Sequence, residues 1–320
     1  MRTVSTTSGE MDAAQLGAVN VHEHVILDGS GNPRIPEDFH HTDIAKIAPE
    51  LAAWKAAGGG AIVDSSPIGA GRNIALLTQT SRDAGLPLIA ATGFHKHSYY
   101  PGDHWAFSEP EETLHTILLD ECTRGILLDD RSPFTSKRSE IKAGILKMGL
   151  DAQGVTPWLA KIIAATARTM EKTAVPCMFH TEPGVPFEAL IKKLDQDHIP
   201  PHRTILCHMG KSLDPELHHM LAREGFYLEF DEMVRPAPPL PKLARAIRQL
   251  FDRGRGHSVL FAGDLAHRSY WTCYGGTPGL PYLMTKLPRE LSSFGFTREM
   301  LDEIWVKNPQ RLFGGSPAAG

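Results

Sequence analysis

The chain has 320 residues, 42% of them hydrophobic and 22% charged, with a formal net charge of -4 at pH 7. This is the balance of a soluble globular protein, and it offers no basic field for a phosphate backbone, which argues against nucleic acid as a partner. No apolar run approaches the roughly 18 residues of a membrane helix, so no membrane partner is expected and a small-molecule partner is.

At the N-terminus, MRTVSTTSGEMDAAQLG lacks the basic head, apolar stretch and small-residue cleavage site of a secretory signal, which favours the cytoplasm. Short apolar, β-rich runs then predict strands at about 19–25, 60–64, 87–92, 142–148, 175–180, 203–208, 226–231 and 258–263. Amphipathic stretches between them read as helices: TDIAKIAPELAAWKAA, GRNIALLTQTSRDAG, TPWLAKIIAATARTMEKT and DPELHHMLAREG, the last two opening on the capping residues Thr156 and Asp214. Strand followed by helix, eight times over, predicts an α/β fold of the closed (β/α)8 TIM barrel type. The alternative is an open doubly wound sheet, but HEHVILDGSGNP after the first strand has no Gly-x-Gly-x-x-Gly opening a helix. No interior stretch reads as a linker, so residues 1–320 are expected to form one domain, with the first few residues and the closing GGSPAAG as fraying ends. Cys122, Cys177, Cys207 and Cys273 are scattered without Cys-x-x-Cys pairing and read as reduced thiols.

The strand ends carry the chemistry. In AVNVHEHVIL, alternation along a strand would turn His22 and His24 to one face and Glu23 to the other. PCMFHTE ends the fifth strand on His180, TILCHMG the sixth on His208, and VLFAGDLA the eighth on Asp264. In a barrel these C-terminal ends converge on one mouth, where catalysis takes place in this architecture. IKAGILKMG also buries Lys147 near the end of the fourth strand, where an ammonium is costly to desolvate. A neutral lysine can add carbon dioxide and become an anionic carbamate. Each residue has a structural alternative: His180 or Asp264 could cap a helix, His208 could be a hydrogen-bonded core ring, and Lys147 could snorkel or pair with Asp264.

Taken together, QLGAVNVHEHV, GGGAIVDSSPIGAGRNIALLTQTSRDAGLPLIAATGF, IKAGILKMG, VPCMFHTEPG, ILCHMG, FYLEFDEM, FAGDLAHRSYW and VKNPQRLF resemble, in order and nearly end to end, the phosphotriesterase-like branch of the amidohydrolase superfamily. The resemblance implies a binuclear metal hydrolase. His22, His24 and Asp264 would hold the more buried ion, His180 and His208 the more exposed one, and carbamylated Lys147 would bridge both with a hydroxide. Two zinc ions are the default expectation, although manganese, cobalt or iron suit the same nitrogen and oxygen donors. Asp264 would also be the catalytic residue that moves the proton of the nucleophile to the leaving group. Members of such a family are usually homodimers.

The resemblance leaves the scissile bond open among phosphotriesters, acyl-homoserine lactones and sugar lactones. The polar loops GFHKHSYYPGDHWAFSEP and DLAHRSYWTCYGGTPGLPY favour a lactonase acting on a polar, sugar-like, possibly phosphorylated lactone. Candidate substrate contacts are Lys211, Arg235, His267, Arg268, Tyr270 and Tyr99. Where phosphorylated-sugar lactonases of the family show an Asp-x-x-Arg-x-x-Tyr-like run, this chain keeps Tyr270 but places His267 at the arginine position and Arg268 one residue later. It also carries DEM where the acyl-homoserine branch has an Asp-Arg-Tyr-like run. A phosphotriesterase or other esterase is the alternative, and a non-catalytic binding barrel is a third.

Overall fold

A computed structural model describes residues 3–315. Among these, eight parallel strands follow one another round a nearly closed barrel: β3 (Ala18–Glu23), β4 (Gly59–Asp64), β5 (Leu88–Phe94), β6 (Ile145–Gly149), β7 (Cys177–His180), β8 (Thr204–Leu206), β9 (Tyr227–Phe230) and β10 (Val259–Phe261). The barrel expected from the sequence is therefore present. All eight strands coincide with predicted runs, their ends differing by at most three residues. Just beyond β10 the seam back to β3 is closed by Gly263 N donating to Asn20 Oδ1 at 3.1 Å, Asp264 N to His22 O at 3.0 Å and Leu265 N to Glu23 Oε1 at 2.6 Å.

The strands are apolar on both faces, as parallel strands between a filled interior and an outer ring of helices must be. Val19, Val21, Ala61, Val63, Ile89 and Ala91 belong to the inner cluster, while Ile62, Leu88 and Ala90 pack outward against residues such as Trp54 and Leu77 of the helices. Those helices include α1 (Ile44–Ala56), α2 (Ile74–Ala84), α3 (Glu111–Thr123), α4 (Pro157–Thr173), α5 (Phe187–Gln196), α6 (Pro215–Arg223) and α7 (Leu240–Asp252). The two predicted caps hold: Thr156 Oγ1 accepts from Leu159 N at 3.2 Å, and Asp214 Oδ1 from Glu216 N and Leu217 N at 3.0 and 3.2 Å.

The start of the chain corrects the sequence reading. Instead of fraying, Thr3–Thr6 (β1) and Gly9–Asp12 (β2) form an antiparallel hairpin tied to the barrel by Thr7 N donating to Leu88 O at 2.8 Å. Val4 of β1 joins the inner cluster with Leu312 and Phe313, so the hairpin and the C-terminal helix close the barrel floor. Of the closing GGSPAAG, Gly314 ends a helix and Gly315 caps it; positions 316–320 lie outside the described residues. No helix among the described residues is long and apolar enough to cross a membrane.

Candidate metal centre

The six residues singled out at strand ends meet at the barrel mouth. The local backbone that delivers them is less regular than simple alternation. Between Asn20 and Glu23, β3 advances three residues while β4 advances two, so β3 bulges. A bulge re-aims the side chains that follow it, and here His22 reaches Lys147 of β6, its Nε2 lying 3.0 Å from Nζ. His24 follows the end of β3, His180 is the last residue of β7, and His208 and Asp264 stand two and three residues beyond β8 and β10. His208 and Asp264 both adopt left-handed backbone, φ 63° and 44°. Non-glycine residues occupy that region at a cost, and such strain collects at functional sites. Neither residue caps a helix by its side chain, and α5 begins only at Phe187, so the capping alternatives for His180 and Asp264 fail.

The four rings divide their nitrogens in a consistent way. His22 Nδ1 lies 3.3 Å from Glu229 Oε2, His24 Nδ1 3.0 Å from Ser66 Oγ, and His208 Nδ1 bonds Asp231 Oδ2, leaving each Nε2 for the mouth. His180 is reversed, since its Nε2 donates to Glu182 Oε1 at 2.6 Å and its Nδ1 faces inward, 2.8 Å from His208 Nε2. Holding the far nitrogen of a ring with an acceptor is how metal-ligating histidines are oriented. With their N–H groups spent on Glu182 and Asp231, His180 and His208 turn lone pairs on each other, an arrangement favourable only when a cation or an extra proton sits between them. Burial, reinforced by neighbouring positive groups, lowers the pKa of both His22 and His180 well below the usual histidine value, so these rings are neutral, the form that ligates.

Donor atoms of His22, His24 and Asp264 lie within 4.8 Å of one another, and so do those of His22, His208, Glu229 and Asp231. The second group sits behind the rings, on their Nδ1 side, where its carboxylates orient the imidazoles. Burial opposes charge on Asp264, but His22, His24 and Arg235 outweigh it and hold the carboxyl well below the usual carboxylate range. Lys147 is fully buried, and among the described residues no carboxylate forms an ion pair with it, so neither snorkelling nor pairing with Asp264 accounts for it. A buried ammonium without a counter-ion is unfavourable. Conversion to a carbamate shared by cations would remove that cost, and in this respect the residues fit a pair of divalent ions.

A cavity of about 260 Å³ opens above these residues. Tyr99, Lys211, Arg235 and His267 line it; Arg268 and Tyr270 do not. Arg268 turns away, its Nε donating to His40 O at 2.5 Å and its guanidinium lying 5.4 Å from the Tyr274 ring centre. Tyr270 stands behind Arg235, whose guanidinium is 5.4 Å from the Tyr270 ring centre. Tyr99 stacks on His95 with ring centroids 3.8 Å apart, and His267 Nδ1 is 2.8 Å from Asp38 Oδ2. The cations are not free: Arg235 pairs with Asp264, and Lys211 with Glu182 Oε2 at 3.4 Å.

Sequence reasoning missed two parts of this site. One is Glu182, within the quoted HTEPG but with no pattern to mark it. The other is an apolar wall of Leu27, Ile35, Pro36 and Phe39 from the long connection after β3. Asn32 pins that connection in place, its Nδ2 donating to Gly69 O and Tyr99 O, both at 2.9 Å. The Pro and Phe in NPRIPEDF were the available signal, but they read equally well as an ordinary loop.

The chain as a whole has recognisable relatives. The profile of the phosphotriesterase family matches residues 2–313. A phospho-furanose lactonase of Mycoplasmopsis synoviae is 27% identical over 96% of this chain and 90% of its own length. Among solved structures, an amidohydrolase from Mycoplasma synoviae superposes with a TM-score of 0.92 at 26% identity, covering 98% of this chain and 92% of that one. A lactonase from Listeria monocytogenes superposes with a TM-score of 0.88 at 27% identity, covering 97% and 98%. Matched in sequence from end to end and in fold over nearly its whole length, the chain belongs to the phosphotriesterase family, a family of hydrolases.

Proposed function

We propose that the protein is a binuclear metal-dependent hydrolase that opens the ring of an unphosphorylated lactone with a polar, sugar-like body. The observation that carries the metal reading is the 2.8 Å approach of His180 Nδ1 and His208 Nε2, beside a buried Lys147 that has no carboxylate partner among the described residues. His22, His24 and Asp264 would hold one ion, His180 and His208 the other, and Lys147 as a carbamate would be shared. Two divalent ions, zinc by default, would lower the pKa of a bound water and polarise the scissile carbonyl.

The chain's own residues then have distinct tasks. Asp264 accepts the proton released as water adds to the carbonyl carbon, and returns it to the ring oxygen as the carbon–oxygen bond breaks. His22, His24 and Arg235 together keep the Asp264 carboxylate ionised, and the Arg235 bond aims it. His95, Tyr99 and His267 offer polar contacts to the ring, while the wall of Ile35, Pro36 and Phe39 excludes water from the opposite side. Because Lys211 and Arg235, the Lys and Arg side chains lining the cavity among the described residues, are already ion-paired, neither is left over for a phosphate dianion. The apolar wall also favours a second reading, in which an ester with an apolar arm, an acyl-homoserine lactone or an organophosphate triester, occupies the same cavity.

Metal-loaded enzyme assayed on aldonolactones, acyl-homoserine lactones and paraoxon-like triesters separates these readings. The highest kcat/KM is expected on an aldonolactone. No turnover of any lactone would remove the assignment, and elemental analysis finding no bound metal in active protein would remove the mechanism.

A further inference from the structure

Glu182 follows His180 by two residues, on the loop after β7. Its Oε1 accepts from His180 Nε2 at 2.6 Å and from Lys96 Nζ at 2.6 Å, and its Oε2 accepts from Lys211 Nζ at 3.4 Å. Lys96 comes from the loop after β5 and Lys211 from the turn after β8, so loops beyond two other strands brace one carboxylate. Lys96 is steadied in turn by Asp151, 3.7 Å from its Nζ. The His180 ring lies between His95 and His208, with centroids at 4.8 and 4.4 Å, which restricts its tilt, while His208 Nε2, 2.8 Å from His180 Nδ1, could accept from the opposite tautomer.

A neutral imidazole carries one N–H, and the acceptor that takes it decides which nitrogen keeps a lone pair. His22, His24 and His208 are held at Nδ1, whereas His180 alone of the four is held at Nε2. We propose that Glu182, braced by Lys96 and Lys211, is a positioning residue that locks His180 as the Nε2–H tautomer and so makes Nδ1 its ligating nitrogen. This rests on the reading of His180 as a metal ligand. It gives a half-buried carboxylate at the rim a task beyond tying two lysines together.

The test compares wild type with E182Q, E182A and E182M. Nitrogen-15 long-range correlation spectra of the metal-free proteins report the His180 tautomer, and calorimetric titration with zinc chloride reports affinity for each equivalent. Wild type and E182Q, which keeps an acceptor oxygen, should hold Nε2–H. E182A and E182M should pass largely to Nδ1–H and lose about 10- to 100-fold in affinity for one of two zinc equivalents, the other being unchanged. A retained Nε2–H tautomer with both affinities unchanged in E182A and E182M overturns the proposal. Failure of the underlying metal reading looks different, because wild type would then take up no zinc whatever tautomer it shows. Should E182A not fold, E182M, which preserves the side-chain length, carries the comparison.

Discussion

Arg235 and Asp264 form one unit: Arg235 Nη2 donates to the Asp264 backbone carbonyl at 2.9 Å and to its carboxylate Oδ2 as well. The two residues belong to the loops after β9 and β10, and the double bond fixes a carboxylate whose own backbone is left-handed, with φ 44°. A side chain expected as a cation for substrate thus serves to hold the Asp264 carboxylate.

Arg235→Met should therefore reduce kcat by about 10- to 100-fold with little change in metal content, because Asp264 loses its aim while its donor set stays. Steady-state kinetics with elemental analysis check this, and a change confined to KM would instead assign Arg235 to substrate binding. Asp264→Asn should lose more, about 10²- to 10⁴-fold in kcat, since a carboxamide cannot take the proton.

Lys147→Ala should lose activity and recover part of it with added short carboxylic acids, which can occupy the space of a carbamate. Activity measured with and without acetate or propionate reads this out. An unimpaired mutant would exclude a bridging role for the side chain.

Glu50 of α1 is buried and accepts from Thr272 N at 3.3 Å, Cys273 N at 2.7 Å and Leu280 N at 2.9 Å, pinning the loop after β10. Glu50→Ala should cost about 3 kcal/mol in denaturant unfolding, because three backbone donors lose their acceptor in a buried setting. Faster amide exchange over residues 272–280 should accompany it.

His41 is buried against Trp271 and Tyr274, and burial lowers its pKa to about 4. The unfolded chain, with a histidine pKa near 6.5, binds the proton first as pH falls. The contribution of neutral His41 is thus complete above about pH 6.5 and is lost progressively between there and about 4. Urea midpoints from pH 7.5 to 4.5 should fall over this window, and His41→Gln should flatten part of the slope.

A phosphorylated lactone should be hydrolysed with a lower kcat/KM than its unphosphorylated parent, because Lys211 and Arg235 already face carboxylates. Equal or higher values for the phosphorylated substrate would show that these pairs open on binding.

Much of the site was legible because it is written at strand ends. His180 and Lys147 stand at or near the end of short continuous apolar runs, and barrel topology brings such ends together whatever their separation in sequence. Other parts were written nowhere locally. Arg268 and His267 are neighbours in sequence, yet only His267 lines the cavity. Nothing in HRSYW distinguishes them, since the difference lies in the carbonyl of His40 that captures the arginine.

The sequence by itself determined the barrel, the order of its strands and the polar residues at their ends, since these follow from apolar runs of strand length and from residue type. Only the tertiary structure decided which nitrogen each imidazole presents, that Glu182 meets His180 at Nε2, and that the cavity has an apolar side with its cations already paired. Those features depend on the bulge in β3, the left-handed turns at His208 and Asp264, and contacts between side chains from different loops. Each is a competition among neighbours distant in sequence, and short-range pattern carries no record of which neighbour wins.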